Sequence, residues 1–439
     1  MSMGESLLSG LSGAIRDFPP PGVHGQVTQV TGMLVEGIAM GAQVGGLYSV
    51  GRGEDAVLAE VVGLKNRRVL LMPFGELGGL GMGDPIQKVG NAQRVNVGDE
   101  LLGRVVDAFG RPLDGGPIPE ANQKRLLHGH VLNADERGPV EERLSLGVRA
   151  LDSFTPIGRG QRVGIFAGPG VGKSVLMGMA ARYTQADISI VALVGERGRE
   201  VNHFVKDVLG PDGLKRSVVV ATSDRSAPER VRAAFYATTL AEHFRAQGKS
   251  VLLFVDSLTR LCMGQREIGL SVGEPPTTKG YPPSAFAMLP KLLERVAPLR
   301  GSGSITALYT VLVEGDDMTD PVADATRGLL DGHILLSREL AASGHYPAID
   351  VLGSLSRVES DVATPEELAA VRTLRGWLAR LEDAKDLIAV GAYQKGTDPE
   401  LDLALNKKPL IQAFLRQAVS EQVSHEDTRK MLLALAGGA

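Results

Sequence analysis

Apolar positions recur along the chain in two rhythms, and the change of rhythm divides it. From Gly25 to about Val97 they alternate in short pieces broken by glycine: VTQVTGMLVEGI, GLYSV, AVLAEVVGL and RVLLMPF. Strand-length pieces at that spacing predict a small β-barrel, with glycine-rich Gly75–Gly83 and the Gly98-Asp99 turn leading out of it. LLGRVVDAFGRPLDGGP, from Leu101 to Pro117, begins a second domain as a strand and a turn, followed by an extended lead-in to about Leu151. Continuous β-branched runs follow at Arg162–Phe166, Ile188–Val194, Ser217–Ala221, Val251–Val255 and Ile305–Val313. Among them, Pro228–Gln247 has helical spacing through Val231, Phe235, Thr238 and Phe244, with Ser226 and Glu229 as its capping box. Apolar strands alternating with helices predict a parallel sheet covered on both faces, with a site at the carboxyl ends of its strands.

From Thr364 onward the strand signals stop. A helix opens at Thr364-Pro365-Glu366 and carries Leu368, Val371, Leu374, Leu378 and Leu381 on one face; more helix is predicted at Lys408–Val423 and His425–Leu435. At the other end, Leu7, Leu8, Leu11 and Ile15 share one face of an amphipathic helix within residues 1–18, which Pro19-Pro20-Pro21-Gly22 ends. Such a helix packs on its own domain or docks on a partner or a membrane surface. The chain thus divides into 1–22, 23–98, 99–360 and 361–439.

Composition narrows the function classes. The 439 residues are 43% hydrophobic and 22% charged, as in an ordinary soluble globular protein of two or three domains. With 47 basic against 51 acidic residues the formal charge is -4, which gives no support to nonspecific nucleic-acid binding. Aromatics are only 4%, too few to furnish base-stacking surfaces, whereas 55 glycines suit tight turns. Cys262 is the single cysteine, which excludes an internal disulfide and fits a reducing compartment. No run approaches the roughly 18 apolar residues of a membrane span, and no secretory pattern opens the chain, so a cytoplasmic protein is expected.

The densest chemistry lies between the strand Arg162–Phe166 and the helical run Val175–Tyr183, in AGPGVGKS. Gly168, Pro169, Gly170, Val171, Gly172, Lys173, Ser174 and Val175 form a glycine-rich turn into a helix start, the arrangement that cradles a phosphate. Lys173 would reach the β- and γ-phosphates, and the Ser174 hydroxyl would hold Mg²⁺. The usual first glycine is Ala167 here, and Pro169 removes one N–H without touching the donors expected nearest the phosphate. Triphosphate hydrolysis also needs a metal holder, a group that orients water, and positive charge at the transition state. Asp256 ends the strand VLLFV, where a carboxylate meets Mg²⁺ directly or through water. Glu196 follows ISIVALVG at the mouth of a neighbouring strand and suits a general base. Arg197, next along, reaches phosphate or pairs with a carboxylate. Arg357, in SLSR, lies about forty residues after the last predicted core strand and is as readily a surface pair as a phosphate ligand. Tyr346, in GHYPAID, stacks on adenine or fills a core or interface.

PAIDVLGSLS, Pro347 to Ser356, resembles the motif shared by the α and β subunits of rotary ATP synthases. LLGRVVDAFGRPLDG, LVGERGREV, LLFVDSLTR and EGDDMTDPVADATRGLLDGHILLSREL stand in the same order as in that superfamily. Within it, ERGREV, DSLTR, QREIGLSVGEPPTTKGYPPSAFAMLPKLLER, HYPAIDVL and AYQKGTDPELD are similar to the type III protein-export ATPases of flagella and virulence injectisomes. The resemblance runs from about Gly25 to Gln417. It implies a β-barrel, a RecA-like P-loop α/β core with a parallel sheet, and a helical C-terminal domain, behind the docking or oligomerisation segment expected at 1–22. It implies ATP hydrolysis with Mg²⁺ by a homohexamer with nucleotide at each subunit interface.

By the same resemblance, Lys173 and Ser174 are phosphate-loop residues, Asp256 takes the Walker B position, Glu196 activates water and Arg197 lies beside the γ-phosphate. Arg357 becomes a finger reaching the adjacent subunit's nucleotide, Tyr346 stacks on adenine, and Tyr393 closes the adenine pocket. The implied partners are a coiled-coil stalk protein, a dimeric stator, a membrane export gate and substrate–chaperone complexes, at the inner-membrane export apparatus, with no nucleic acid. AYQKGTDPELD and ATRGLLDGHI lean towards the flagellar kind. Two rivals remain. A rotary synthase subunit would need a dissimilar partner, whereas this chain carries both Glu196 and Arg357. A terminator-type RNA translocase would need aromatics in its barrel, where only Tyr48 and Phe74 occur. The loop Gly273–Pro283, stiffened by prolines, is expected to face a central pore.

Overall fold

Alternate burial curls the first six strands into a closed barrel in the computed structural model, which describes residues 24–437 apart from Ala92, Asp224, Glu314 and Asp316. The amphipathic segment expected in residues 1–18 lies outside the described residues. The strands are β1 (His24–Thr31), β2 (Leu34–Ile38), β3 (Gly46–Val50), β4 (Val57–Lys65), β5 (Arg68–Pro73) and β6 (Pro85–Asn91), in ring order β1-β2-β5-β4-β3-β6. Val27, Val35, Tyr48, Val50, Ala59, Val61, Val69, Leu71 and Ile86 fill the interior. Packing there is close enough that a Cβ on Gly37 would stand 2.1 Å from Ile86 Cδ1. Gly75–Gly83 does not lead out of the barrel as expected: it loops from β5 to β6, and β6 pairs with both β1 and β3 to close the ring. PIQKVGN hid that strand because a polar lysine and glutamine face outward while Ile86 alone plugs the core.

Two short strands, β7 (Arg94–Val97) and β9 (Gln123–Leu126), pair antiparallel between barrel and core. The core is an eight-stranded sheet in the order β16-β15-β10-β14-β13-β11-β12-β8. Its strands are β8 (Val105–Val106), β10 (Arg162–Ala167), β11 (Ile188–Val194), β12 (Ser217–Thr222), β13 (Ser250–Asp256), β14 (Ser304–Leu312), β15 (Gly332–Leu336) and β16 (Ile349–Ser356). Every pairing is parallel except that of β15 with β16. The period-2 geometry of a strand explains the two cores: Ile190, Ala192 and Val194 join one apolar cluster, Val191 and Leu193 the other. Helices cover each face, Ala227–Ala246 on the first and Lys173–Tyr183 on the second.

The sheet holds two strands that apolar patterning did not predict. GHILL alternates buried and half-buried positions and IDVLGSLS, at the sheet edge, adds exposed ones, so both lack the continuous apolar run of a central strand. Arg357 therefore follows the last core strand directly. The helical ends also differ. Ser226 caps the helix Ala227–Ala246 by position only: its hydroxyl makes no cap hydrogen bond, and Glu229 turns to Arg225, 3.8 Å away. A full capping box forms instead at Thr364 and Glu367, opening Pro365–Asp383. The predicted Lys408–Val423 helix is Pro399–Leu415, because the Asp398 carboxylate accepts from the N–H groups of Glu400 and Leu401 and fixes the start earlier. Helix His425–Gly437 lies against Pro365–Asp383. Among the described residues no helix is long and apolar enough to cross a membrane.

One buried ion pair ties the lead-in to the core. Arg295, 1% exposed, donates Nε to Glu242 Oε1 at 2.8 Å, Nη2 to Glu242 Oε2 at 2.6 Å, and Nη1 to the carbonyl of Leu127 at 2.8 Å. Arg295→Met leaves a buried carboxylate unpaired and is expected to cost about 3–5 kcal/mol of unfolding free energy. Adding Glu242→Leu is expected to recover most of that loss, read in denaturant titrations of the single and double variants.

Candidate functional site

Parallel register decides which side chains meet. β10 pairs with β14 through Ile165 and Thr310, and β14 pairs with β13 through Tyr309 and Val255, so the next residue of β13, Asp256, lies level with Thr310. The Thr310 hydroxyl accordingly donates to Asp256 Oδ1 at 2.7 Å. Beyond Ala167 the chain turns through Gly168, Pro169, Gly170 and Val171 and enters its helix at Lys173, two residues earlier than the apolar run suggested. Val171, 2% exposed, pins the turn to the core, while Pro169 and Gly170 are exposed. Gly170 and Gly172 take φ of 78° and 90°, in the left-handed region that a side chain disfavours. No side chain caps the helix at Gly172, so its first-turn N–H groups, Ser174 and Val175 among them, are left for an anion.

Lys173 Nζ donates to Asp256 Oδ1 at 2.5 Å. The Asp256 carboxylate is 2% exposed, and this ammonium with the Thr310 hydroxyl offsets the cost of burying it. A triphosphate would draw on the same ammonium and leave Asp256 for a cation. The donor set fits Mg²⁺: a hydroxyl and a carboxylate offer hard oxygens, and Mg²⁺ is commonly bound through one or two carboxylates plus substrate phosphates. Ser174, exposed in the first turn beside Lys173, and Asp256 are the residues that would hold it.

Glu196 leaves the end of β11 in a loop held from both sides. The Gly195 N–H donates to Thr222 Oγ1 at 3.1 Å, and the Gly195 carbonyl accepts from Arg260 Nη1 at 2.6 Å. Arg260 Nε stands 3.3 Å from Glu196 Oε1. Burial pushes the Glu196 carboxyl up to about 7, reinforced by its hydrogen bond with Glu200 and the nearby Asp256 charge, against the pull of Lys173 and Arg260. A carboxyl poised there suits proton abstraction near neutrality. Arg197 is exposed at the start of the helix Gly198–His203, its carbonyl accepting from Glu200 and Val201.

Tyr346 lies over the phosphate loop: a Cβ on Gly172 would stand 3.5 Å from its ring, which is 46% exposed. Its carbonyl accepts from the Gln417 N–H at 3.0 Å. The Gln417 side chain in turn donates to the carbonyl of Gly147 at 2.7 Å and accepts from the N–H of Arg149 at 2.8 Å. The helical domain thus reaches Tyr346 through Gln417. Tyr393 is held elsewhere in that domain, its hydroxyl donating to Asp402 Oδ1 at 2.8 Å and its ring packed with Leu381, Ala384, Leu401 and Ala404.

Arg357 is not with the others. β16 runs antiparallel, so Ser356 pairs with Gly332 at the start of β15, and Gln161, just before β10, donates to the Ser356 hydroxyl at 3.1 Å. The exposed Arg357 therefore stands at the amino-terminal end of β10, whereas the phosphate loop leaves its carboxyl-terminal end. Six residues at about 3.3 Å each put roughly 20 Å between the two ends. Sequence reasoning missed Arg260, Thr310 and Gln417. Arg260 lay inside the quoted DSLTR, but Thr310 and Gln417 act through register and tertiary contact that no local pattern displays.

Residues 147–356 match the ATP synthase alpha/beta family, nucleotide-binding domain; residues 27–90 match that family's beta-barrel domain; and residues 363–434 match the T3SS EscN ATPase C-terminal domain. The chain is 47% identical over 418 residues to a flagellum-specific ATP synthase of Bacillus subtilis, covering 94% of this chain and 95% of the relative. It is likewise 47% identical over 427 residues to a type 3 secretion system ATPase of Sinorhizobium fredii, covering 97% and 94%. The solved structure of the assembled ATPase EscN in complex with its central stalk EscO, from enteropathogenic E. coli, superimposes with a TM-score of 0.87 at 42% identity, over 94% of this chain and 100% of that one.

If Glu196 takes the proton from water, it must be ionised. Hydrolysis measured as kcat/KM is then expected to fall tenfold per pH unit below about 7 and to level off above it, and Glu196→Gln to remove most of the rate and the acidic limb. Stability runs the other way. The folded state holds this proton above the pH at which an unfolded glutamate loses it, so the group's contribution is lost as pH rises through 7. Glu196→Gln is therefore expected to raise the melting temperature relative to the parent at pH 8 and to change it little at pH 4.

Proposed function

The chain belongs to the ATP synthase alpha/beta family, as an ATPase among its type III secretion and flagellum-specific relatives, and from that premise we propose that it works as a homohexameric ring whose ATP hydrolysis energises protein export. The observation that carries the ring is the position of Arg357. It is exposed at the pole of the sheet opposite its own phosphate loop, so its guanidinium can complete only a site on another copy. That EscN was solved as an assembly supports the same arrangement.

In this reading the first-turn N–H groups and Lys173 bind the β- and γ-phosphates, and Lys173 gives up Asp256 to do so. Ser174 and Asp256 would hold Mg²⁺, which would draw charge from the γ-phosphate. Glu196, kept in place by Arg260 and by the Gly195 loop, orients the attacking water and takes its proton. Arg197 stands by the γ-phosphate, and Arg357 of the adjacent copy offsets the charge that develops there. Tyr346 presents its half-exposed ring to adenine beside Gly172; Tyr393, held by Asp402 within the helical domain, would have to leave that packing to close the pocket.

The partners we propose are a coiled-coil stalk, a dimeric stator, an export-gate membrane protein and substrate–chaperone complexes, at the cytoplasmic face of the inner membrane. EscN's complex with a central stalk supports the first of these. The Gly273–Pro283 loop would line the pore that the stalk enters; its Lys279 pairs with Asp320 at 3.2 Å and Asp317 at 3.5 Å. Relatives of both the flagellar and the secretion kind match at 47% identity, so the flagellar assignment rests on AYQKGTDPELD and ATRGLLDGHI. An RNA translocase is disfavoured because Tyr48 and Phe74, the barrel's aromatics, are 1% and 6% exposed and offer no stacking face.

Lys173→Ala is expected to abolish ATP turnover while leaving the far-ultraviolet circular dichroism unchanged; retained turnover would discard the site. Mixing inactive Arg357→Ala protein with inactive Glu196→Gln protein is expected to restore part of the activity, since some interfaces then join an intact loop site to an intact arginine. No recovery at any mixing ratio would exclude an arginine acting in trans.

A further inference from the structure

Beside Arg357 a cavity of about 380 Å³ opens between the end of β16 and the helix Pro365–Asp383. Leu368, Arg372 and Arg375 line it from one helix face, at the i, i+4, i+7 spacing that stacks side chains along a helix. Their partners differ. Arg375 is committed: its Nη1 lies 3.3 Å from Glu359 Oε2, and its Nη2 donates to the carbonyl of Phe154. The hydroxyl of Ser356 is also committed, to the carbonyl of Pro156 and to Gln161. Arg372 and Arg357, both exposed, make no side-chain hydrogen bond or ion pair within the described residues. Three guanidinium groups thus face one space with a single carboxylate, Glu359, to answer them. Two uncompensated like charges sharing a cavity repel each other unless an anion with several oxygens enters.

We propose that Arg372 is a second phosphate-contacting residue for the adjacent copy's nucleotide, acting with Arg357 from the same cavity. This rests on the reading that Arg357 works in trans. The helix Pro365–Asp383 opens the helical domain, so a contact from Arg372 would bind that domain's position to the neighbour's triphosphate. Arg357, anchored by its backbone to the Asp331 carbonyl at the strand end, supplies the fixed charge; Arg372 supplies one carried by the helical domain.

The test uses full-length protein assembled with MgATP, with ring mass and melting temperature recorded for each variant. Arg372→Ala is expected to lower kcat about ten- to a hundredfold with both unchanged, and Arg372→Lys to keep most of the rate. Arg372→Ala is then mixed with Lys173→Ala, which is inactive but carries both arginines. Activity above that of Arg372→Ala alone is expected, because an intact loop meets intact arginines at some interfaces. Wild-type turnover by Arg372→Ala, or a loss that mixing does not relieve, would overturn the proposal. Arg357→Ala mixed with Lys173→Ala separates the two claims. Recovery there without recovery for Arg372 removes only this inference, whereas failure of both removes the trans reading beneath it.

Discussion

The contact between Lys173 and Asp256 organises the site, and it exists because three parallel strands hold their register. β10 delivers the lysine after one turn of loop, β13 delivers the carboxylate at its last residue, and β14 between them places the Thr310 hydroxyl against the same oxygen. A carboxylate 2% exposed survives in that position only while an ammonium and a hydroxyl answer it. In the proposed function the pair works as an internal stand-in: the lysine balances a protein carboxylate until phosphate oxygens would claim it. Nothing in the barrel or the helical domain is needed to set this contact. The helical domain adds to what surrounds it, through the Gln417 N–H on the Tyr346 carbonyl.

The same sheet separates what it does not join. Because β16 turns back antiparallel at the edge, the chain emerges at Arg357 on the amino-terminal side, at the far end of β10 from the loop. In the proposed function a single copy thus carries a gripping half and a charge-completing half that face apart. Glu196 belongs to the first half, poised by burial and by its neighbours near neutrality. The helical domain touches both halves. It reaches Tyr346 through Gln417, and it lies beside Arg357 through the helix that Thr364 caps. Movement of that domain would be felt both at Tyr346 and beside Arg357.

Much of this was legible in the residues. Central strands such as Ile188–Val194 are buried on both faces, so their sequence is an unbroken apolar run with clear limits, and the observed strand has the same bounds. The phosphate loop announced itself because left-handed backbone at Gly170 and Gly172 requires glycine. β15 and the edge strand β16 did not show, since half-buried or exposed positions interrupt their apolar runs and both carry glycine. β6 was hidden for the same reason. Ser226 and Thr364 head the same pattern with a glutamate three residues on, and the glutamates' local partners differ: Glu229 faces Arg225, whereas Glu367 accepts from the Thr364 N–H. Arg260 could be read as part of a motif but not as the partner of Glu196, because 64 positions separate them and only the strand order brings them within 3.3 Å.

The most direct test of the account is the specific ATPase activity of the unmodified chain measured against protein concentration, with molecular mass recorded in the same samples. A site divided between copies predicts that activity per chain rises steeply as mass climbs from one copy to the ring and that isolated copies are nearly inert. Full activity per chain in a sample that remains monomeric throughout would contradict it.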